Sequence, residues 1–348
     1  MTMPSKTGDA ARSLSNSINA ATRPTHTKLN KLVISRLRSA LPPQADDASQ
    51  YVSGLLHVAP IYIAFESLWR TILESPEVRN TDEEGPAGTV VDPAGLQPDD
   101  SSDVHRQPVV SARIHSLLAK LYFEGLQRSQ ALQRDLISLT GWSGRTLAEQ
   151  LNHASESPVL SDFLNHTRKS VEKSPHVLVA YAWVLYMALF SGGRFIRASL
   201  ENIYPEFWIP ASAQQPTPAS FTSATNTGSL PLNFFRFDTP VDGEDLKLEF
   251  KQRLLDSEGV ITESEREEIV QEARCIFDYM IRLVGELDDI CGTDKEAAEA
   301  RLLSLRSRDS VVVENERRQH YAETRRKVAS EVEIQPILES REGHVKFG

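Results

Sequence analysis

The chain has 348 residues, of which 40% are hydrophobic and 25% charged, a composition typical of a globular protein. Its formal net charge of −10 argues against a nucleic-acid binder and against a protein that adsorbs to anionic membranes. Its two cysteines, Cys275 and Cys291, predict neither a disulfide framework nor a metal knuckle and suit a reducing compartment. Because the N-terminus also lacks the apolar stretch of a secretory signal, we expect a soluble cytoplasmic protein.

Apolar residues at helical spacing predict α-helices along most of the chain, and no segment alternates as a strand does. The predicted helices cover about 12–39, 46–73, 109–139, 146–153, 158–171, 177–203, 244–256 and 262–290. The last of them starts with Thr262 and Glu265, which have the spacing of a capping box. The fold class that follows is all-α, a multihelical bundle.

The polar segments divide this chain into a central domain and flanking parts. We predict one domain over 13–291, with loop insertions at about 81–107 and 210–230 that are rich in loop-forming residues. The N-terminus, 1–12, is expected to be disordered, and the charged tail, 292–348, to be partly helical or disordered.

The most apolar run, 177–190, is too short to cross a bilayer and predicts a buried helix without a membrane span. It is followed by Ser191, Gly192 and Gly193, and each glycine within a helix costs about 1 kcal/mol relative to alanine. Such a pair is tolerated where a helix bends or where a flat ligand approaches the backbone. The pattern alone leaves both explanations open.

His26 lies in the first predicted helix, among Ile18, Leu29 and Val33. A neutral imidazole can ligate a metal through one nitrogen while the other N–H is held by a neighbouring acceptor. A core histidine with a single hydrogen bond is the alternative, and the residues alone do not decide between them. The sequence spacing predicts no metal site with a carboxylate for four further histidines, His115, His153, His166 and His176.

Four segments of the chain share features with one known family: AATRPTHTKL at 20–29, ALQRDL at 131–136, LVAYAWVLYMALFSGGRFIR at 178–197 and NFFRF at 233–237. They resemble segments of the heme oxygenase family and occur in that family's order over about 14–290. The first resembles the stretch that carries the family's proximal histidine, and the third resembles its distal helix. The resemblance implies heme b between two helices. His26 would be the axial iron ligand, and the backbone at Ser191, Gly192 and Gly193 would pass close to the opposite porphyrin face.

The resemblance also implies an activity, the oxidative cleavage of heme to biliverdin, carbon monoxide and iron. This reaction takes O2 and electrons from NADPH, which a separate flavoprotein reductase would deliver. The heme-contacting residues that it implies are Arg23, Trp183, Tyr186, Leu189, Phe234, Lys247, Lys251 and Arg253. Lysine and arginine suit the heme propionates because charge-assisted hydrogen bonds are strong. A solvated helix face is the alternative for Lys247, Lys251 and Arg253.

The sequence departs from the family at Leu189, where the family's distal helix has an aspartate. In the family that carboxylate organises the water that delivers protons during ring opening, and leucine can neither donate a proton nor hold water. Three hypotheses therefore stay open for a protein that binds heme. Other polar groups hold the water, the protein is a heme buffer, carrier or sensor that leaves heme intact, or its oxidation chemistry has changed. A protein-interaction scaffold without heme is a further alternative.

Overall fold

The computed structural model describes residues 13–74, 110–210 and 230–292, and within these ranges the secondary structure is helical and contains no β-strand. The all-α prediction is therefore confirmed. The predicted insertion at 81–107, the N-terminus and nearly all of the C-terminal tail lie outside the described residues, as does most of the insertion at 210–230. The division of the chain into domain, insertions and tail stays a prediction.

Ten α-helices follow one another along these ranges. They are α1 (Leu14–Ser39), α2 (Ser49–Glu74), α3 (Ala112–Leu121), α4 (Ser129–Thr140), α5 (Gly144–Ser155), α6 (Pro158–Lys173), α7 (Leu178–Tyr181), α8 (Arg194–Leu200), α9 (Glu244–Ser257) and α10 (Glu263–Ile290). Helices α7 and α8 belong to one helical stretch, Pro175–Leu200, which we call the SGG segment. Two π-helical turns, Ala182–Tyr186 and Leu189–Gly193, interrupt it.

The predicted helix over 109–139 is wrong in one respect, because the structure divides it into α3 and α4. The carboxylate of Glu66, from α2, accepts hydrogen bonds from the backbone N–H groups of Arg128 (2.7 Å) and Ser129 (3.1 Å) and so caps α4. In the turn before it, a Cβ on Gly125 would lie 2.8 Å from the side chain of Leu246. The break is thus imposed by distant residues that helical periodicity does not report.

The main core forms around α2 and the SGG segment, which bury large aromatic side chains against each other. Phe65 and Trp69 of α2, Phe163 of α6 and Tyr181 are all at most 2% exposed. Burial of each such side chain stabilises the fold by roughly 1.5–3 kcal/mol. This core fixes the SGG segment on one side.

Helix α1 packs along α10 and is held by two different sets of contacts. Its first half contributes Leu14 to the main core, whereas Leu29 of the second half joins Phe277 and Val284 in a separate, smaller cluster. At its end, Arg36 binds both carboxylate oxygens of Asp288, at 2.6 and 2.7 Å. On the neighbouring helix, the predicted capping box of α10 is confirmed.

Two described helical stretches are long and apolar enough to span a membrane by length and composition, Ser49–Glu74 and Pro175–Leu200. Within their most apolar windows, 50% and 78% of the residues are buried inside the fold. Burial on this scale is what the core helices of a bundle show.

Candidate functional site

One face of the SGG segment is open. Ala188, Ser191 and Gly192 are exposed there, and a Cβ built on Gly192 meets no other atom within 4 Å. The hydroxyl of Ser191 is used within the helix, since it donates to the carbonyl oxygens of Met187 and Ala188 at 3.2 and 3.3 Å. A flat group can therefore approach the backbone at Gly192 without meeting a side chain of that residue.

The opposite face is closely packed. Gly193 is buried, and a Cβ there would lie 3.3 Å from the side chain of Leu189, which is itself 4% exposed. Tyr186 is buried as well, and its hydroxyl donates to Glu66 at 3.1 Å. Of the two adjacent glycines, only Gly192 faces open space, and the structure does not bring Gly193, Leu189 or Tyr186 to the open face.

This segment offers few groups that could exchange a proton. Between Val177 and Gly193 the only titratable side chains are Tyr181 and Tyr186, and burial raises the pKa of each hydroxyl well above its usual value. Both phenols therefore stay protonated at neutral pH and point into the core. The open face of the segment itself carries no acidic side chain.

His26 lies on the exposed side of α1, with the edge of its ring against Phe277 at a centroid distance of 5.6 Å. Partial burial lowers the pKa of the imidazole below its ordinary value of 6.5, so the ring is neutral at pH 7. The side-chain amide nitrogen of Asn30 lies 3.4 Å from Nε2, within hydrogen-bond distance. A neutral imidazole of this kind can ligate iron.

The SGG segment and α1 meet beside this histidine. The indole N–H of Trp183 donates to the side-chain oxygen of Asn19, one of the α1 residues, at 3.1 Å. Val184, the next residue, packs against the small cluster that contains Leu29 and Phe277. His26 and the SGG segment thus border the same cluster.

Basic residues of α9 lie near one end of this region. The ammonium group of Lys251 lies 5.8 Å from the Trp183 ring, and burial, together with the charge of Lys247, lowers its pKa. Within the described ranges Lys251 forms no ion pair, whereas Lys247 is paired with Glu244 at 2.8 Å. Lys251 is therefore the α9 cation that is available to an anionic ligand near Trp183.

Arg253 and Phe234 make their contacts with residues other than Trp183. The guanidinium of Arg253 donates to the carbonyl oxygen of Lys120 at 2.9 Å and lies over the ring of Phe123. Phe234 is 6% exposed, and its ring packs against Tyr62 at 5.3 Å. The structure does not bring these two residues to Trp183.

Arg23 is exposed on α1, one turn before His26. Two further residues of this region, Asn30 and Ala188, were not among the predicted site residues. Asn30 lies four positions after the predicted residue His26, and Ala188 lies four positions before the predicted residue Gly192. This spacing places helical residues on one face.

The chain matches the heme oxygenase family over residues 107–286, a range that begins after α1. Among curated proteins, it is 26% identical over 297 residues to the heme-binding protein HMX1 of Saccharomyces cerevisiae, covering 83% of this chain and 78% of that protein. It is 25% identical over 201 residues to human heme oxygenase 1, a match that covers 57% of this chain and 60% of the human protein.

Solved structures show the same fold. Heme oxygenase-2 from Synechocystis, crystallised in complex with heme and NO, superposes with a TM-score of 0.54 at 16% identity, over 84% of this chain and 92% of that one. Heme oxygenase 2 from Chlamydomonas reinhardtii, crystallised without heme, gives 0.53 at 17% identity, over 79% and 97%. The match over 107–286, more than half of the chain, shows that this chain belongs to the heme oxygenase family.

Proposed function

We propose that this protein binds heme b between α1 and the open face of the SGG segment, with His26 as the iron ligand. The observation that carries the proposal is the open space over Gly192, on a segment that borders the same small cluster as the His26 ring. One face of the heme macrocycle would lie against this helix wall, which has no side chain at Gly192, and a neutral imidazole would ligate the iron from the other face.

The surrounding residues suit the propionates and one edge of the heme. Lys251, which is unpaired within the described ranges, and Arg23 would hold the propionates, because both offer charge-assisted hydrogen bonds to carboxylates. Trp183 would lie at that edge of the macrocycle, fixed by its bond to Asn19. The names of the relatives support this ligand, since one is a heme-binding protein and the others are heme oxygenases.

The finer proposal is that the bound heme is a substrate, which is opened to biliverdin, carbon monoxide and iron. O2 would be consumed, and NADPH would supply electrons through a separate flavoprotein reductase. Family membership supports this activity. In it, Gly192 and Ser191 would let O2 and water approach the heme face from the exposed side of the helix.

A second candidate function, heme binding without cleavage, is favoured by a specific observation. Leu189 takes the place of the family's carboxylate and is buried against Gly193, and the only titratable groups between 177 and 193 are two buried phenols. Ring opening requires a positioned proton source. A protein without one on this segment would store, carry or sense heme.

Reconstitution of the full chain with hemin separates these functions. We expect a Soret band with the signature of a histidine-ligated iron, which His26→Ala removes and His153→Ala, at an exposed histidine of α5, leaves unchanged. The reconstituted protein is then given NADPH and a flavoprotein reductase, and biliverdin and carbon monoxide are measured.

Formation of both products supports the oxygenase, and a stable reduced or O2-bound spectrum without product supports binding alone. Absence of hemin binding at stoichiometric concentration, or a spectrum that His26→Ala does not alter, contradicts the proposed site.

A further inference from the structure

A second group of possible ligands lies away from the heme site, where α6 and the SGG segment pack on α10. His166 of α6, together with Glu272 and Cys275 of α10, places one ligand atom each within 4.8 Å of the others. The imidazole Nε2 lies 3.0 and 3.2 Å from the two carboxylate oxygens of Glu272. Glu272 and Cys275 are three positions apart, so both side chains emerge from the same face of α10.

Among the described residues, the buried carboxylate of Glu272 is paired with a histidine and with no arginine or lysine. The residue is 6% exposed, and within the described ranges its only ion-pair partner is His166, with no arginine or lysine within salt-bridge distance. The hydroxyl of Tyr181 donates to Oε1 at 2.6 Å, which holds the carboxylate in place without neutralising it. A buried carboxylate is costly unless a cation or several hydrogen bonds accompany it.

We propose that His166, Glu272 and Cys275 form a binding site for a zinc-type divalent cation. Imidazole nitrogen, carboxylate oxygen and thiolate sulfur are the three kinds of ligand that zinc takes in proteins. Three protein ligands leave the fourth tetrahedral position open for water or for a small anion.

The distances between the ligand atoms are close to those that a bound zinc ion requires. Zinc bonds of about 2.0–2.3 Å place neighbouring ligand atoms roughly 3.3–3.7 Å apart. The nitrogen and oxygen atoms are already near this separation, so a modest movement of the Cys275 side chain completes the set. Tyr181 orients the carboxylate as the outer-shell partners of metal ligands do.

This site is separate from the heme site because it lies on another face of α10. Phe277 and Val284 of that helix face α1, whereas Glu272 contacts α6 and the SGG segment. The spacing of His166 along the sequence predicts no metal site with a carboxylate, whereas the fold places Glu272, 106 residues away in the chain, 3.0 Å from its Nε2. Sequence spacing detects only ligands that share an element.

Cobalt and zinc titrations of the full chain, purified with chelator and reductant and then freed of both, test the proposal. We expect one equivalent of Co²⁺ to give thiolate-to-cobalt charge-transfer absorption in the near ultraviolet, and Zn²⁺ to displace it. Cys275→Ser should remove this absorption and weaken Zn²⁺ binding by about 100-fold or more. Cys291→Ser is the matched control and should leave both unchanged.

Glu272→Gln and His166→Gln should weaken Zn²⁺ binding while the thiol stays in place. Circular dichroism and the hemin Soret band establish that each variant is folded. No charge-transfer band in the unmodified chain, its persistence in Cys275→Ser, or its loss in Cys291→Ser would each overturn the site.

Discussion

The two faces of the SGG segment differ in how closely they are packed against other side chains. On the buried face, Tyr186 bonds to Glu66, and Leu189 fills the space beside Gly193. On the open face, Ala188 and Gly192 carry no side chain that could close the space above them. The buried face contributes to folding stability, whereas the open face forgoes packing that larger side chains would provide. The difference identifies the open face as the one available to a ligand.

Glu66→Ala should give the largest effect on stability and should act through the buried face alone. The substitution uncaps α4, leaves the Tyr186 hydroxyl without its acceptor and removes a negative charge that stabilises the buried guanidinium of Arg128. We expect the free energy of unfolding to fall by about 3 kcal/mol, measured by urea denaturation. Glu149→Ala, at an exposed pair on α5, should cost less than about 0.5 kcal/mol.

Hemin affinity of the folded Glu66→Ala protein should match that of the parent chain. A loss of affinity with unchanged stability would mean that the two faces do not act separately.

Gly192→Leu should have the opposite profile, because its side chain would enter the open space. We expect hemin affinity to fall by about 5- to 150-fold, as overpacking by about 1–3 kcal/mol implies, with stability retained. Spectroscopic titration with hemin measures the first quantity and thermal unfolding the second. Gly54→Leu, at another helical glycine with open space around it, is the control and should leave hemin affinity unchanged.

Lys251→Ala and Arg253→Ala compare two cations of α9 that lie two residues apart. Lys251 is near Trp183 and lacks an ion pair within the described ranges, whereas Arg253 is bound to Lys120 and stacked on Phe123. Loss of one propionate contact should weaken hemin binding by about tenfold in Lys251→Ala. Arg253→Ala should leave the affinity unchanged, and an equal loss in both variants would argue against this assignment.

The pH dependence of iron ligation should give the smallest effect. Burial lowers the pKa of His26 below 6.5, which disfavours the protonated ring, and only the neutral ring can ligate iron. As pH falls through 6.5, the histidine-ligated spectrum should therefore persist, and it should be lost only at lower pH. If a spectroscopic titration shows that half of the histidine-ligated spectrum is lost at pH 6.5 or above, the lowered pKa of His26 is contradicted.

Helix order and fold class were predictable because amphipathic periodicity reflects burial on one side of each helix. The break between α3 and α4 was not, because Glu66 caps α4 from a distant helix and periodicity carries no information on such contacts. The boundary therefore depended on tertiary structure.

The site was predictable only in part. The resemblance predicts His26 and the two glycines as site residues, but it does not predict that Gly192 is open and Gly193 buried. Tyr186 lies in the π-helical turn Ala182–Tyr186, where a regular 3.6-residue period does not predict which side chains share a face.

The two attachments of α1 have a consequence for its local dynamics. Leu14 and Ile18 anchor its start in the main core and Leu37 packs against that core near its end, whereas Leu29 between them belongs to the small cluster. Local opening free energies follow the apolar contacts that each segment makes. Backbone amides around Leu29 should therefore exchange with deuterium faster than those around Ile18, and a ligand bound to His26 should slow that exchange.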